Sequence, residues 1–504
     1  MENIGLQILR SSGSKRVDYR KKSFKQHALP FLAGIALAVS IVPTSGHAQS
    51  LKQVLSQSVA AHPEYRALSA NRRAIGEELT AARGLGLPGV NVEARYGNLD
   101  DDNTSQDYNE WSVVLKQPLY DGGKTVSEVS RQSQRVQSAG QRVRDTGNTI
   151  GLQIAQAYLE VSRARHVLGI ARANEKAIRH IVGKVNSRVE LGAASTADKE
   201  LALSRLYAAQ NITAESEIRL EDARALYITI TEQKPGKLEP IKLSRKHFPK
   251  NLGTAISHAK SASPKILAMQ YDALASEFAI GTAKSAIMPK VDLELSANHR
   301  DRIQGTSAEN TSYKAMVVFS MSLYNGGINA ARIREAEHRA DEARDLADAA
   351  ALNVEREIRL AWNTYTGAPK KVKALNAQAT SSLRVKNLRK KQYEAGTSSL
   401  IAILDAQNEY VIAKVQAINE NSMRKFAYFK VLAATGTLLD AYGIDGVDED
   451  PGVDHLVVTS SIAIPSLAPS KQAQRVAVVA AKPAPLVSAQ AKRERRKARY
   501  VSDR

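Results

Sequence analysis

Leu119-Tyr120-Asp121-Gly122-Gly123 returns 204 residues later as Leu323-Tyr324-Asn325-Gly326-Gly327. One short match would carry little weight, but the offset persists along the chain. Ile154, Ala157 and Tyr158 fall on Ile358, Ala361 and Trp362, and Glu190 and Gly192 fall on Glu394 and Gly396. Upstream the offset is 201, with Pro63 on Pro264 and Pro88 on Pro289. Self-similarity at a fixed period marks an internal duplication. The three-residue change in offset belongs between Pro88 and Leu119, where a loop can absorb it.

Each copy reads as a helix, two strands, a very long helix, a turn and a returning helix. Pro88 and Pro289 are expected to end the first helix, because the residue before a proline is pushed out of the α region. The strands alternate with period two. Val90, Val92, Ala94 and Tyr96 oppose Asn91, Glu93 and Arg95, and Trp111, Val113 and Leu115 oppose Ser112 and Lys116. In the second copy Val291, Leu293, Leu295 and Ala297 oppose Asp292, Glu294, Ser296 and Asn298. Tyr313, Ala315, Val317, Phe319, Met321 and Leu323 then oppose Lys314, Ser320 and Ser322. After Gly123 and Gly327 come two runs, 124–189 and 328–393, in which Pro369 is the only proline and apolar residues recur at helical spacing. At about 1.5 Å per residue each run is a rod of roughly 100 Å. The helix before each hairpin and the one after each tip, stacked end to end, would reach about the same length. Alanine in the seams permits close packing of the coiled-coil kind.

The chain has 504 residues, too many for one compact core, and no cysteine, which removes disulfides, thiolate metal sites and cysteine nucleophiles. Of its aromatics 17 are Tyr and 7 are Phe, a balance that suits interfaces. The net charge of +20 invites a nucleic-acid reading until it is located. Residues 1–27 hold seven Lys/Arg against two acids, and residues 451–504 hold ten against three. The body between them keeps about +8, ordinary for its length. The basic start runs into the apolar stretch Ala28 to Val42 and then Gly46-His47-Ala48, which predicts a signal peptide over 1–48 and a mature start at Gln49. Such export argues against nucleic acid as a partner. The end, from about 447, is a Pro/Ala/Val/Ser tail closing on Lys492-Arg493-Glu494-Arg495-Arg496-Lys497, read as a solvated tail.

Four two-faced strands are what a transmembrane barrel uses, yet the smallest such barrels need about eight. An open sheet edge does not survive in lipid, so several chains must each contribute four strands. Tyr108, Trp111, Tyr120 and Tyr324 are placed near strand ends, as in a membrane-interface girdle.

The duplicated helix, hairpin and long helix, with Gln117-Pro118-Leu119-Tyr120-Asp121-Gly122-Gly123 closing the first hairpin, resembles the TolC family of outer-membrane efflux and type I secretion channels. Tyr393-Glu394-Ala395-Gly396 followed by Leu404-Asp405-Ala406-Gln407 is similar to it as well. The resemblance spans roughly 50–443. It implies a mainly α fold with a β-barrel part: a homotrimer with a 12-strand barrel in the outer membrane and a periplasmic α-helical tunnel. It also implies a periplasmic adaptor and an inner-membrane pump or ABC transporter as partners, with no cofactor. The family closes its entrance through a Tyr, a basic residue and Asp residues, and Tyr393, Asp198 and Asp405 match those positions. Ser398 stands where the basic residue is expected, Ala402 where a further Asp is, and Ala197 where a Thr is, so that lock is depleted here. Three-fold symmetry would make Asp405 a ring of carboxylates favouring cations. Ser195-x-x-Asp198 also fits a capping box, whereas Asp405, ten residues into its expected helix region, fits capping less well.

The expected organisation is a signal peptide at 1–48, a first efflux repeat at 49–250 with strands at about 90–118, a second at 251–446 with strands at about 290–323, and the tail at 447–504. Gly122, Gly123, Gly326 and Gly327 make the strand-to-helix turns; Gly192 and Gly396 make the helix tips. Gly84-Leu85-Gly86-Leu87-Pro88-Gly89 matches a dinucleotide fingerprint in the wrong context, after a helix and before a strand, and reads as a linker. Gly123-Lys124-Thr125 mimics the end of a phosphate loop but lacks its earlier glycine. Asp100-Asp101-Asp102 is expected in a solvated hairpin loop at 97–110. No nucleophile motif or metal-ligand spacing occurs. The expected function is therefore a passive exit duct rather than an enzyme. A non-conducting periplasmic spacer or adaptor is the rival, and the four alternating strands speak against it.

Overall fold

The computed structural model describes residues 48–101, 104–301 and 310–444. The expected signal peptide up to His47, Asp102 and the basic tail lie outside them.

Each repeat begins with a helix that the sequence reading treated as one and the structure divides in two. α1 (Leu51–Ala61) and α2 (Pro63–Gly84) are separated at His62; α5 (Leu252–Ala262) and α6 (Pro264–Lys284) are separated at Ser263. The cause is the proline at the start of the second helix of each pair: His62 and Ser263 are extended, as a residue before proline must be. At the other end α2 stops at Gly84, four residues before Pro88, and α6 passes through a 3₁₀ turn at Ser285–Ile287 before an extended Met288 precedes Pro289.

The strands are β1 (Gly89–Asp101), β2 (Thr104–Tyr120), β3 (Lys290–Asp301) and β4 (Asn310–Ser320), in one antiparallel sheet of order β1-β2-β3-β4. Two expectations are corrected. Residues 97–101 and 104–110 are not an open loop: the ladder runs from Gly97↔Tyr108 to Asp101↔Thr104, with Asn98 Nδ2 donating to Asp107 Oδ1 at 3.0 Å. Backbone pairing needs no apolar pattern, so the polar sequence there concealed the hairpin. β4 ends at Ser320, leaving Met321 and Leu323 beyond the strand.

The long helices are α3 (Lys124–Glu190) and α7 (Ile328–Glu394), 67 residues each, and the returning ones are α4 (Thr196–Thr231) and α8 (Leu400–Ala434). Gly122 and Gly123 have φ of +71° and +81°, a left-handed pair that turns the chain from β2 into α3. Asp121 caps that start: its carboxylate accepts from the amides of Gly123 (3.0 Å) and Thr125 (2.6 Å) and from the Thr125 hydroxyl (2.5 Å). Burial alone would raise its pKa, but these hydrogen bonds outweigh it and hold the carboxyl below the ordinary range.

α3 packs between α2/α4 and α6/α8, and α7 packs on the far side of α6/α8. The half-helices of the second repeat meet end to end. Gly436 (φ +75°), just past α8, has a site for a Cβ only 2.3 Å from Pro264 Cδ at the start of α6. Around this level the short helices and residues 238–248 form a collar. Its core joins Leu55, Val59, Ile154, Tyr158, Tyr227 and Leu432, and α9 (Leu438–Ala441) docks on α3 through Asn148, whose Oδ1 accepts from the amides of Leu438 (3.1 Å) and Leu439 (3.4 Å). Gln49 is stitched into the collar: its amide donates to Lys237 O at 2.8 Å, and its carbonyl accepts from Tyr158. Burial pushes the Tyr158 phenol up to about 12.

α4 ends on Glu232, the one non-glycine residue with positive φ (56°) among the described residues. Its side chain is exposed. Glu232→Gly is expected to stabilise the protein by about 0.5–1 kcal/mol, the cost of a side chain in the left-handed region. Calorimetry should show a higher melting temperature; an unchanged or lower one would mean that the Glu232 side chain contributes compensating contacts.

Candidate functional site

The sheet carries two chemically distinct faces. In register, Val92↔Val113, Val113↔Ala297 and Ala297↔Tyr313 place one apolar row across all four strands, and Val90, Leu115, Leu295 and Ala315 make another. On the edge strands these side chains stand open, Val92 at 71% and Tyr313 at 79% exposed, while Val113, Leu115 and Ala297 of the central strands are half-buried. The opposite face is ionic. Lys116 Nζ lies 3.0 Å from Asp292 and 3.1 Å from Glu294, and Arg300 Nε lies 2.8 Å from Glu110. A sheet with its apolar face outward and its charges satisfied on the other face is built for lipid on one side and an aqueous lumen on the other. Trp111 sits in the interior of β2, opposite Ala94 and stacked on His299 at 5.6 Å. Tyr120 closes β2, and Tyr324 lies beyond β4, 85% exposed.

At the other end of the helices, Gly192 and Gly396 adopt φ of +73° and +75° and close the two tips. A single apolar cluster joins the tips: Val182 and Val185 of α3, Leu206 of α4, Tyr393 of α7, and Leu400, Ile403 and Leu404 of α8. Asp198 is the residue of a capping box: its Oδ2 accepts from the Ser195 hydroxyl (2.9 Å) and amide (3.3 Å), while its own amide donates to Ser195 Oγ. Asp405 stands in the second turn of α8, nearer the helix start than the sequence reading put it, because Ser399 and not the Gly396 region caps the helix. Its carboxylate is 3.9 Å from Arg205 of α4, and both side chains are more than half exposed. Tyr393 is buried beneath Arg188 of α3, whose guanidinium lies 5.0 Å from the ring centroid and donates to the Tyr393 carbonyl at 3.0 Å. One residue on, Glu394 pairs with Lys184 of α3, which holds its carboxyl below the usual range. Thus Tyr393, Glu394, Arg188 and Lys184 form one group, and Asp405 with Arg205 another; Asp198 joins neither.

Arg188, Lys184 and Arg205 were missed in the sequence, where each is one cation among many on a helix surface. Gly436 had a signal: a glycine directly after a helix pattern marks a left-handed cap.

Long antiparallel helices continuing into a four-stranded, two-faced sheet define a membrane duct of mixed helical and β architecture. The chain belongs to the outer membrane efflux protein family, whose sequence profile matches residues 54–227 and 255–437, one segment in each repeat. It is 25% identical over 331 residues to outer membrane efflux protein BepC of Brucella suis biovar 1 (strain 1330), covering 65% of this chain and 72% of that one. It is 23% identical over 434 residues to outer membrane protein TolC of Escherichia coli (strain K12), covering 81% and 86%. The crystal structure of outer membrane protein VceC from Vibrio cholerae shares the fold, with a TM-score of 0.69 at 15% identity over 76% of this chain and 96% of that one. The protein is an outer-membrane efflux or secretion duct of the Gram-negative envelope, extending into the periplasm.

Proposed function

We propose that three copies of this chain close a 12-strand barrel in the outer membrane and conduct substrates passively from periplasm to exterior, with a periplasmic adaptor and an inner-membrane pump or ABC transporter as partners. The observation that carries this is the sheet. β1 and β4 each keep one edge without a strand partner among the described residues, and the exposed apolar rows reach both edges. Lipid tolerates no open edge. Pairing β4 of one protomer with β1 of the next removes every edge at once and keeps the ionic face inward. Native mass spectrometry of detergent extracts is expected to give a trimer, and planar-bilayer recording a conducting one. A monomer that still conducts would overturn the reading.

The entrance reading places Asp405, Asp198 and Tyr393 at the periplasmic tips with unequal roles. Asp198 fixes the tip of α4. Tyr393 and Glu394 tie α7 to α3 through Arg188 and Lys184, cations of α3 rather than of the α7–α8 turn where Ser398 stands. Asp405 carries charge to the path, offset by Arg205. Asp405→Asn should therefore do more than weaken cation preference: it leaves three Arg205 guanidinium groups uncompensated and should move the reversal potential in a salt gradient toward anion selectivity. Arg205→Gln should move it the other way. Unchanged potentials in both variants would place the pair away from the ion path.

A further inference from the structure

The collar side of the helices is filled. Trp362 and Tyr365 of α7 and Tyr428 of α8 crowd around Phe248 with ring centroids 5.5, 4.6 and 4.8 Å away. The face turned away from the collar is not. Leu360 lies two residues from the buried Ile358, about 200° around the helix, and is 63% exposed. Here, at the joint where α8 ends and α6 begins, α3 and α7 leave a cavity of about 470 Å³. Its apolar wall includes Leu152, Leu360, Met423 and Phe426, and a second hollow of about 270 Å³ adjoins it across Met423 and Phe426.

Four charged groups line the larger cavity, and three have partners. Lys265 Nζ lies 3.6 Å from Glu357, and Lys430 Nζ lies 5.0 Å from the Phe426 ring centroid. Asp145 of α3, partly buried, has neither a hydrogen bond nor an ion pair at its carboxylate among the described residues. An unpartnered carboxylate in a low-dielectric wall is costly, and a cation that enters with its own apolar surface relieves that cost. Burial raises the pKa of this carboxyl, and the opposing pulls of Lys265 and Glu357 do not undo that rise.

We propose that this cavity binds amphipathic organic cations, with Asp145 meeting the ammonium and Leu152, Leu360, Met423 and Phe426 enclosing the apolar body. The inference rests on the duct reading for its purpose: with the collar outside, the cavity opens on the conduit, and a site there holds cargo briefly on its way out. Ligand binding itself needs only the folded protein.

The test uses the full chain in lipid nanodiscs, titrated with 1-adamantylammonium and, as its neutral counterpart, 1-adamantanol, followed by ligand-observed NMR. The amine is expected to bind in preference to the alcohol. Asp145→Asn should weaken the amine about tenfold, the size of a charge-assisted contact, and leave the alcohol unchanged. Asp145→Glu should restore the preference. Leu360→Gln should weaken both ligands, and it keeps the test open should Asp145→Asn fail to assemble. Equal binding of amine and alcohol to the natural protein overturns the proposal, as does full amine affinity in Asp145→Asn or no response to Leu360→Gln. Recording conductance on the same preparations separates the two readings. A conducting trimer that fails to bind overturns the site alone, whereas a protein that binds the amine without conducting overturns the duct.

Discussion

Arg188→Ala combined with Glu394→Gln is expected to raise the mean single-channel conductance several-fold. The double substitution removes every polar tie between α3 and Tyr393-Glu394: the Lys184–Glu394 ion pair, the Arg188 hydrogen bond to the Tyr393 carbonyl, and the guanidinium over the Tyr393 ring. The ion pair is exposed and screened by salt, so it contributes little. The charged hydrogen bond and the ring contact are partly buried and together contribute about 2 kcal/mol. That is a factor of about 30 in the local closed-to-open ratio of each protomer, compounded across the three copies of the proposed trimer. Arg179→Ala is the control, since Arg179 pairs with Glu175 on its own helix. Because Lys184 lowers the Glu394 pKa, the carboxylate stays charged, and the tie holds, from neutral pH down through the ordinary glutamate range. It is lost only as pH falls through the depressed value. Double-variant trimers with unaltered conductance would show that closure resides elsewhere.

Gly436→Ala is expected to abolish most assembly into the proposed trimer. At φ +75° any Cβ costs about 1 kcal/mol, and here the added atom would stand 2.3 Å from Pro264 Cδ and 3.1 Å from its Cγ. Proline is rigid and is itself the first residue of α6, so nothing at the contact can swing aside. The start of α6 would have to separate from the end of α8, costing a further 2–3 kcal/mol in strained packing at the level of the collar. The comparison is Gly367→Ala, within α7, where a Cβ meets open space and helix propensity favours alanine. Trimer yield after extraction should fall steeply in the first variant and hold in the second. Equal yields would mean that the α6/α8 joint is not a fixed point of the fold.

The sequence by itself determined what depends on neighbours within one element. The two 67-residue helices were legible to within a residue because apolar periodicity and the glycine pairs at 122–123 and 326–327 are local signals. The two faces of the strands were legible for the same reason, since alternation follows from backbone geometry alone. The prolines at 63 and 264 were visible but were read only as landmarks of the repeat, and the breaks they impose between α1 and α2 and between α5 and α6 went unread. The polar stretch 97–110 concealed paired strands, because ladder hydrogen bonds use the backbone and leave no mark on side-chain choice. Only the tertiary structure decided which surface charges meet. Arg188 and Tyr393 are 205 residues apart, one more than the repeat offset, so the duplication already set them at the same level of two long helices. Which of several cations there faces α7 depends on how α3 is rotated in the bundle. That rotation is set by many weak seam contacts acting together, and no short stretch of sequence encodes it. Asp145 is the same case: a charge on a helix face in the sequence, and a carboxylate without a partner once three helices and a proline joint leave a hollow in front of it.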